Sequence, residues 1–394
     1  VRRLVGSEMC IRDRNCLLRY TFALLILNIF FTNSSFAAIT NLNSPLDTTT
    51  QNNTPTGIYF SNDGSKVFVL GSQGGGDDRD SIAQYSLSTA YDVSTASGSI
   101  ETLIVDGGVG SINGFNSGDP FGLTFNDDGS KVYIADGGDH RVYEITLGSN
   151  FDLTGSATHS GTLATNITNG SGTPCGLTFN NDGSKLFLAG FAQQRILYWP
   201  LGTDYDIDTE GTLGFFDLTP YKSGSDFKPR DVDFNSDGTR MYVVDRLDRI
   251  VVFKLDNAFD LSSGVTELGS INTNSYDPQT FSSEFNSDGS KLFTIGYGNS
   301  INDNQGDDID EFSVSPAYDL FPTLSSSTPA DNATGVSVTA NIVLNFSDNV
   351  DAESGNITIK KTSDDSTIET IDVTGGKVSG SGGTQITVNP STTL

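Results

Sequence analysis

Two carboxylates, Asp233 and Glu284, hold the same place in two related stretches of sequence: each immediately precedes a phenylalanine that leads into an Asn-Ser-Asp-Gly segment. Paired acids perform general acid–base work when they stand about 5–10 Å apart with pKa values pushed apart by their surroundings. The plainer role is a pair of acids hydrogen-bonded to Arg230, Arg240 or water. A second group lies in two acidic runs, Asp77, Asp78 and Asp80 within residues 74–80, and Asp303, Asp307, Asp308 and Asp310 within residues 302–311. Oxygen-rich loops suit calcium. Neither run has the carboxylate spacing of an EF-hand, and the alternative is a pair of solvated acidic loops. His140 and His159 are the only histidines and form no ligand pattern, and no Gly-x-Ser-x-Gly elbow occurs. Cys175 reads as a small packed residue. Trp199, beside Tyr198, reads as a packing residue rather than a platform for a sugar. No cofactor is implied, with calcium as the one exception that the acidic runs leave open.

What must position these residues is a repeat. Asp63-Gly64, Asp128-Gly129, Asp182-Gly183, Asp237-Gly238 and Asp288-Gly289 are each followed by Ser or Thr and then Lys or Arg. The glycines are 65, 54, 55 and 51 residues apart. Each lies between two alternating apolar runs, such as Gly122–Phe125 and Val132–Ala135. That is a hairpin in which glycine takes the positive-φ position and the aspartate caps the turn with its side chain. Five copies in five repeats give these aspartates an architectural role. A second anchor recurs as Tyr91-Asp92, Phe151-Asp152, Tyr205-Asp206, Phe259-Asp260 and Tyr318-Asp319. It follows a third strand, and a fourth strand follows it in most copies.

Four strands per unit at a period near 50 define a propeller blade, and blades must stack radially to bury both faces. The expected fold is all-β: a five-bladed β-propeller of four-stranded antiparallel blades over residues 38–321. The last repeat lacks a fourth strand, and a spare strand, Ile39–Leu42, precedes the first. That N-terminal strand should close blade five. From turn glycine to anchor aspartate the distances are 28, 23, 23, 22 and 30 residues. Blades one and five therefore carry the longest connections between strands two and three, and both acidic runs fall there. The connection around Asp106 to Asp119 should open on the same face.

The pattern Pro-x-Gly-Leu-x-Phe-Asn-x-Asp-Gly-Ser-Lys, best matched at Pro120–Tyr133 and Pro174–Phe187, is similar to YVTN- and NHL-type bacterial propeller repeats. Blades four and five lose its glycine, at Asp231 and in Asp277–Thr280. The resemblance implies fold and leaves function open, since such propellers serve as enzymes, adhesins and scaffolds. Residues 322–394 differ in character. Pro329–Val336, the run Ile342–Val350 and Val388-Asn389-Pro390 resemble the bacterial Ig-like domain of the SbsA S-layer type. The resemblance implies a spacer on a surface protein. It also implies further strands after Leu394, so the domain is expected to be a partial β-sandwich whose last strands lack partners.

The first residues need separate treatment. Residues 1–14 resemble a translated sequencing adapter and are set aside. Residues 15–37 read as a signal peptide: Arg19, an apolar run from Tyr20 to Phe31 and a small-x-small site at Ala37/Ala38. That run is too short to span a bilayer as a helix. The full chain has a net charge of -27; without residues 1–37 it keeps 17 basic and 47 acidic residues, a net charge of -30. Such a surface repels nucleic acid and anionic membranes. Only Cys175 then remains, so no intrachain disulfide can form. The expectation is a secreted or cell-surface monomer that recognises a glycan or an extracellular protein, with neither nucleic acid nor membrane insertion involved. The alternatives are a propeller enzyme, lactonase-like or glycoside-processing, and a structural module of a larger adhesin.

Overall fold

The computed structural model describes residues 39–42, 45–48, 54–73, 79–104, 119–165, 173–221, 227–274, 279–296, 308–315, 317–320, 324–330 and most of 333–391. The two N-terminal segments assigned from sequence, 1–14 and 15–37, lie outside the described residues. Strands account for nearly all regular structure. The chain divides into two compact units, one spanning Ala38–Phe321 and the other containing Pro322–Leu394.

Two short strands lead in, β1 (Ile39–Asn41) and β2 (Leu46–Asp47). Blade one is β3 (Thr54–Phe60), β4 (Lys66–Gln73), β5 (Arg79–Leu87) and β6 (Ala96–Ile104). Blade two is β7 (Pro120–Phe125), β8 (Lys131–Asp136), β9 (Arg141–Ser149) and β10 (Asp152–Ala164). Blade three is β11 (Pro174–Phe179), β12 (Lys185–Gly190), β13 (Arg195–Pro200) and β14 (Gly214–Asp217). Blade four is β15 (Pro229–Phe234), β16 (Arg240–Asp245), β17 (Arg249–Leu255) and β18 (Val265–Asn272). Blade five is β19 (Thr280–Phe285), β20 (Lys291–Gly296) and β21 (Asp308–Val314). Its fourth strand is β1, which pairs antiparallel with β21 through Ile39–Val314, Thr40–Ser313 and Asn41–Phe312. The innermost strands meet in order, β3 with β7, β7 with β11, β11 with β15, β15 with β19 and β19 with β3. The ring is closed, and the protein unit is a five-bladed propeller.

The two repeated motifs explain each other. All five turn glycines have φ between 68° and 72°. A Cβ on any of them would collide with the ring of the same blade's anchor: Tyr91, Phe151, Tyr205, Phe259 or Tyr318. Glycine is therefore required twice, for the backbone and for the ring that lies on it. The anchors themselves have φ from 50° to 59°, a conformation that costs a non-glycine residue roughly 1–3 kcal/mol. Each repays it by docking its ring and donating its N–H to the glycine carbonyl at 2.8–3.0 Å. The turn aspartates cap as expected. In four turns the next Ser or Thr hydroxyl, and then its N–H, hold the carboxyl below its usual range; for Asp63 the Ser65 N–H leads.

Blades are joined by rings. The strand-two aromatic of each blade packs, tilted or edge-on, against the strand-one phenylalanine of the next. The pairs are Phe68–Phe125 (4.6 Å), Tyr133–Phe179 (4.7 Å), Phe187–Phe234 (4.6 Å), Tyr242–Phe285 (4.6 Å) and, across the closure, Phe293–Phe60 (4.3 Å). A basic residue reinforces every joint. Lys66, Lys131, Lys185 and Lys291 donate to the anchor carbonyls of Phe151, Tyr205, Phe259 and Tyr91. Arg240 pairs instead with Asp319 at 2.7 Å. Trp199 is 4% exposed and packs with Tyr133 and Val142 of blade two, while Cys175 is buried among apolar side chains. Both are packing residues.

In the second unit, β22 (Leu324–Thr328), β23 (Ile342–Val350), β26 (Val378–Ser379) and β27 (Gly383–Val388) form one sheet, and β24 (Asn356–Lys360) pairs with β25 (Thr367–Asp372). The expectation that the last strands lack partners is overturned: β27 pairs with β23 on one side and β26 on the other. A core of Leu344, Ile357, Ile371 and Val388 backs them.

Phe293→Ala removes the ring pair at the closure and should lower unfolding free energy in urea by about 3–5 kcal/mol. Gly183→Ala, which needs both a strained φ and displacement of Tyr205, should cost about 2 kcal/mol or more by the same measurement.

Candidate functional site

The innermost strands alternate. One set of side chains packs between blades, and the other points at the propeller axis. The inward set forms two layers. Nearer the Asp-Gly turns stand Tyr59, Thr124, Thr178, Asp233 and Glu284; two residues earlier stand Gly57, Gly122, Gly176, Asp231 and Ser282. In every blade a β-bulge follows the second layer towards the opposite face. It lies at Thr56, Phe121, Cys175, Arg230 and Phe281, of which only Phe121 and Arg230 are more than slightly exposed.

The glycine layer is tight. A Cβ on Gly122 would run into the Gly176 backbone, and one on Gly176 would run into the Asp231 carboxylate. Blade three's glycine thus makes room for blade four's acid. Asp231 is 7% exposed. Its Oδ2 accepts from the Ser282 hydroxyl (2.6 Å) and the Ser283 N–H (3.0 Å), and its Oδ1 from the Val232 N–H (2.9 Å). Burial outweighs these donors and pushes its pKa up to about 6.

Asp233 and Glu284, the pair singled out from sequence, are brought together on the adjacent strands β15 and β19. Both are half-buried. Desolvation raises the Asp233 carboxyl to about 7; the N–H groups of Phe234 (2.7 Å) and Phe285 oppose that rise, and the Asp231 charge adds to it. Desolvation first, then the charges of Asp233 and Asp231, raise Glu284. The arginines expected beside them are placed elsewhere. Arg240 reaches Asp319, and Arg230 at the rim donates to the Thr280 carbonyl at 2.8 Å and stands 3.5 Å from Asp248. Sequence missed Asp231, although its place where other blades keep glycine was the available signal.

The rim above the glycine layer is covered. Phe121 of blade two stacks on Phe281 of blade five with centroids 6.1 Å apart and planes 14° apart. The Arg230 guanidinium lies 4.3 Å from the centre of the Phe281 ring. Lys228 sits 5.1 Å over Phe191. An aromatic and cationic platform therefore occupies the axis on the side where the strand-two-to-three connections emerge.

Of the acidic runs, Asp77, Asp78, Asp303 and Asp307 lie outside the described residues. Asp80 is on β5, and Asp308 and Asp310 are on β21. Asp310 accepts from the Asn41 side chain at 3.1 Å, and burial raises its carboxyl. No group of three or more His, Cys, Asp or Glu able to hold a metal ion occurs among the described residues. No described helix is long and apolar enough to cross a membrane.

The fold and its axis define a closed five-bladed propeller followed by an Ig-like unit. Residues 320–394 match the family described as a bacterial Ig-like domain. No curated protein matches the chain. Among solved structures, it is similar to a Bacteroides uniformis protein described as a 6-phosphogluconolactonase: 13% identity, 81% of this chain and 85% of that chain, TM-score 0.40. The periplasmic gluconolactonase PpgL of Pseudomonas aeruginosa gives 15%, 85%, 88% and 0.41. A luciferin-regenerating enzyme gives 9%, 71%, 95% and 0.42. The blade count rests on the strand pairing described above.

The axial acids predict a pH dependence. Their folded pKa values lie above the unfolded value near 4. The stability that Asp231 and Asp233 permit is complete below pH 4 and is lost as pH rises through about 6 to 7. Asp233→Asn should flatten this loss and leave the variant several degrees more stable than the parent at pH 8, read from thermal unfolding between pH 4 and 8.

Proposed function

We propose that this is an exported bacterial surface or extracellular recognition protein. Its propeller acts, as a monomer, as a rigid platform for a glycan or a protein, and the Ig-like unit acts as a spacer. The observation that carries the reading is the contrast between the two faces of the ring. On the Asp-Gly face the turn aspartates cap, the glycines take the anchor rings and the basic residues join blades. On the opposite face the five bulge positions hold Thr56, Phe121, Cys175, Arg230 and Phe281 on an otherwise repeated frame; Phe121 and Arg230 are half-buried, and the other three are buried beneath the rim. Phe121 and Phe281 stack on each other, and the Arg230 guanidinium lies over the Phe281 ring. Varied side chains on a repeated scaffold are how such folds carry recognition, and aromatic faces beside cations suit sugars and proteins alike. The match of residues 320–394 to a bacterial Ig-like domain supports placement at the cell surface.

A second reading rests on the adjacent, raised carboxyls of Asp233 and Glu284, which suit a general acid and its partner. A glycan and extracellular-matrix protein array, with a parallel panel of glycosides and lactones, separates the two. Binding without turnover is expected. Turnover that disappears in Asp233→Asn establishes the enzyme instead. Secretion from a bacterial host should yield a mature N-terminus at Ala38, read by N-terminal sequencing.

A further inference from the structure

Exposure changes along the propeller axis. The glycine layer is buried in all five blades. One layer nearer the Asp-Gly turns, Tyr59, Thr178, Asp233 and Glu284 are half-buried, and at the turns Asn62, Asp127 and Asn181 are exposed. The axis is therefore a recess, closed by the glycine layer and open towards the turns. Polar groups enclosed by protein are nearly always hydrogen-bonded. Here several are not. Thr124 shares the inward layer of Asp233 and Glu284 and is 4% exposed, yet among the described residues its hydroxyl has no hydrogen-bond partner. The Tyr59 hydroxyl and the Glu284 carboxyl have none among them either. A buried hydroxyl left unmet inside a ring of acids points to a ligand.

The charge around the recess has one sign. Burial first, then Glu284, Tyr205, Asp233 and Asp127, raise the Tyr59 hydroxyl, so it stays a neutral donor. Burial, then Asp233 and Asp231, act likewise on Glu284. Arg230 and Arg240 are held by Asp248 and Asp319. Among the described residues no lysine or arginine pairs with Asp127, Asp231, Asp233 or Glu284. A ligand that suits this site is cationic, donates hydrogen bonds and enters end-on, since the far end is closed. The acceptors come from Thr124 of blade two, Asp233 of blade four and Glu284 of blade five, so they surround the axis. The three donors of an ammonium fan out to such a ring, whereas a guanidinium fork is planar. The described acids form no group of three able to coordinate a metal ion. We propose that the axial recess on the Asp-Gly side binds the terminal ammonium of a linear diamine or polyamine. The exposed Asp127 at the mouth suits a second ammonium at the other end of the ligand. The site lies apart from the opposite rim, and it gives Asp233 and Glu284 a binding role in place of acid–base chemistry.

The test is isothermal calorimetry of the purified full chain with 1,4-diaminobutane at physiological salt, with 1,4-butanediol and calcium chloride as controls. One site per chain is expected, which separates it from diffuse attraction to an acidic surface. Asp231 and Asp233 titrate at about 6 and about 7, so both are neutral at pH 5 and ionised at pH 8. Binding should therefore be about tenfold tighter, or more, at pH 8 than at pH 5. Glu284→Gln should weaken it about tenfold, and Thr124→Val, which keeps the shape, about threefold. Glu284→Gln removes a like charge from the axis, so its thermal unfolding at pH 8 should be no lower than the parent's and its loss of binding is not misfolding. No heat with the diamine at pH 8, equal affinity in Glu284→Gln, tighter binding at pH 5 or equal binding of the diol overturns the proposal. So does calcium that binds at the same site and displaces the diamine. Each of these results leaves the reading of the opposite rim standing.

Discussion

The five aromatic joints between blades are the interaction on which everything else depends. A propeller blade has no hydrophobic face to spare: each side of its sheet must be covered by a neighbour. Here each cover is built around one ring pair, from strand two of one blade to strand one of the next, with centroids 4.3–4.7 Å apart. The strand-one phenylalanine also lies 5.1–5.5 Å from its own blade's anchor ring. The anchor covers the turn glycine, and the anchor carbonyl receives the basic residue of the preceding blade in four of the five joints. Packing, turn and charge are thus one connected device repeated five times. Offset and tilted ring pairs of this kind contribute about 0.5–1.5 kcal/mol each beyond the area they bury.

Against that uniform frame the axis is the exception. Blades one to three put glycine in the tight layer, and blades four and five put Asp231 and Ser282 there. The carboxylate fills the volume that Gly176 leaves open. Three acids with raised pKa values then stand within reach of one another's charge. An arrangement of this kind opposes folding as pH rises towards neutrality. The axial acids and the aromatic rim above them are where this molecule departs from its own rule.

Most of the frame was legible in the sequence because it is periodic. Asp-Gly spacing gave the blade count, and the missing fourth strand after Leu320 pointed to Ile39–Leu42 as its substitute. The docking of the anchors on the glycines was not legible, because nothing in a linear sequence says that Tyr91 folds back onto Gly64. Nor was the destination of Arg230 and Arg240: both lay close in sequence to Asp233, but the bulge turns one to the rim and blade packing draws the other to Asp319. In the Ig-like unit the pairing of Gln385–Val388 with Ile342–Asn345 was not legible, because three other strands separate the two runs in sequence.

Closure by β1 has a consequence for how the molecule comes to exist. Asn41 and Asp310 are hydrogen-bonded yet 269 residues apart in the chain. Loop-closure entropy grows only slowly with such a separation, but the contact cannot form before both ends are present. A ribosome delivers β1 first and β21 only after every other strand of the propeller. For that whole interval the opening strand has no sheet to join, and its unpaired edge is a template for the wrong partner. The order of synthesis therefore makes the first strand of the propeller the last to fold, and places the period of greatest exposure before, rather than after, the ring is complete.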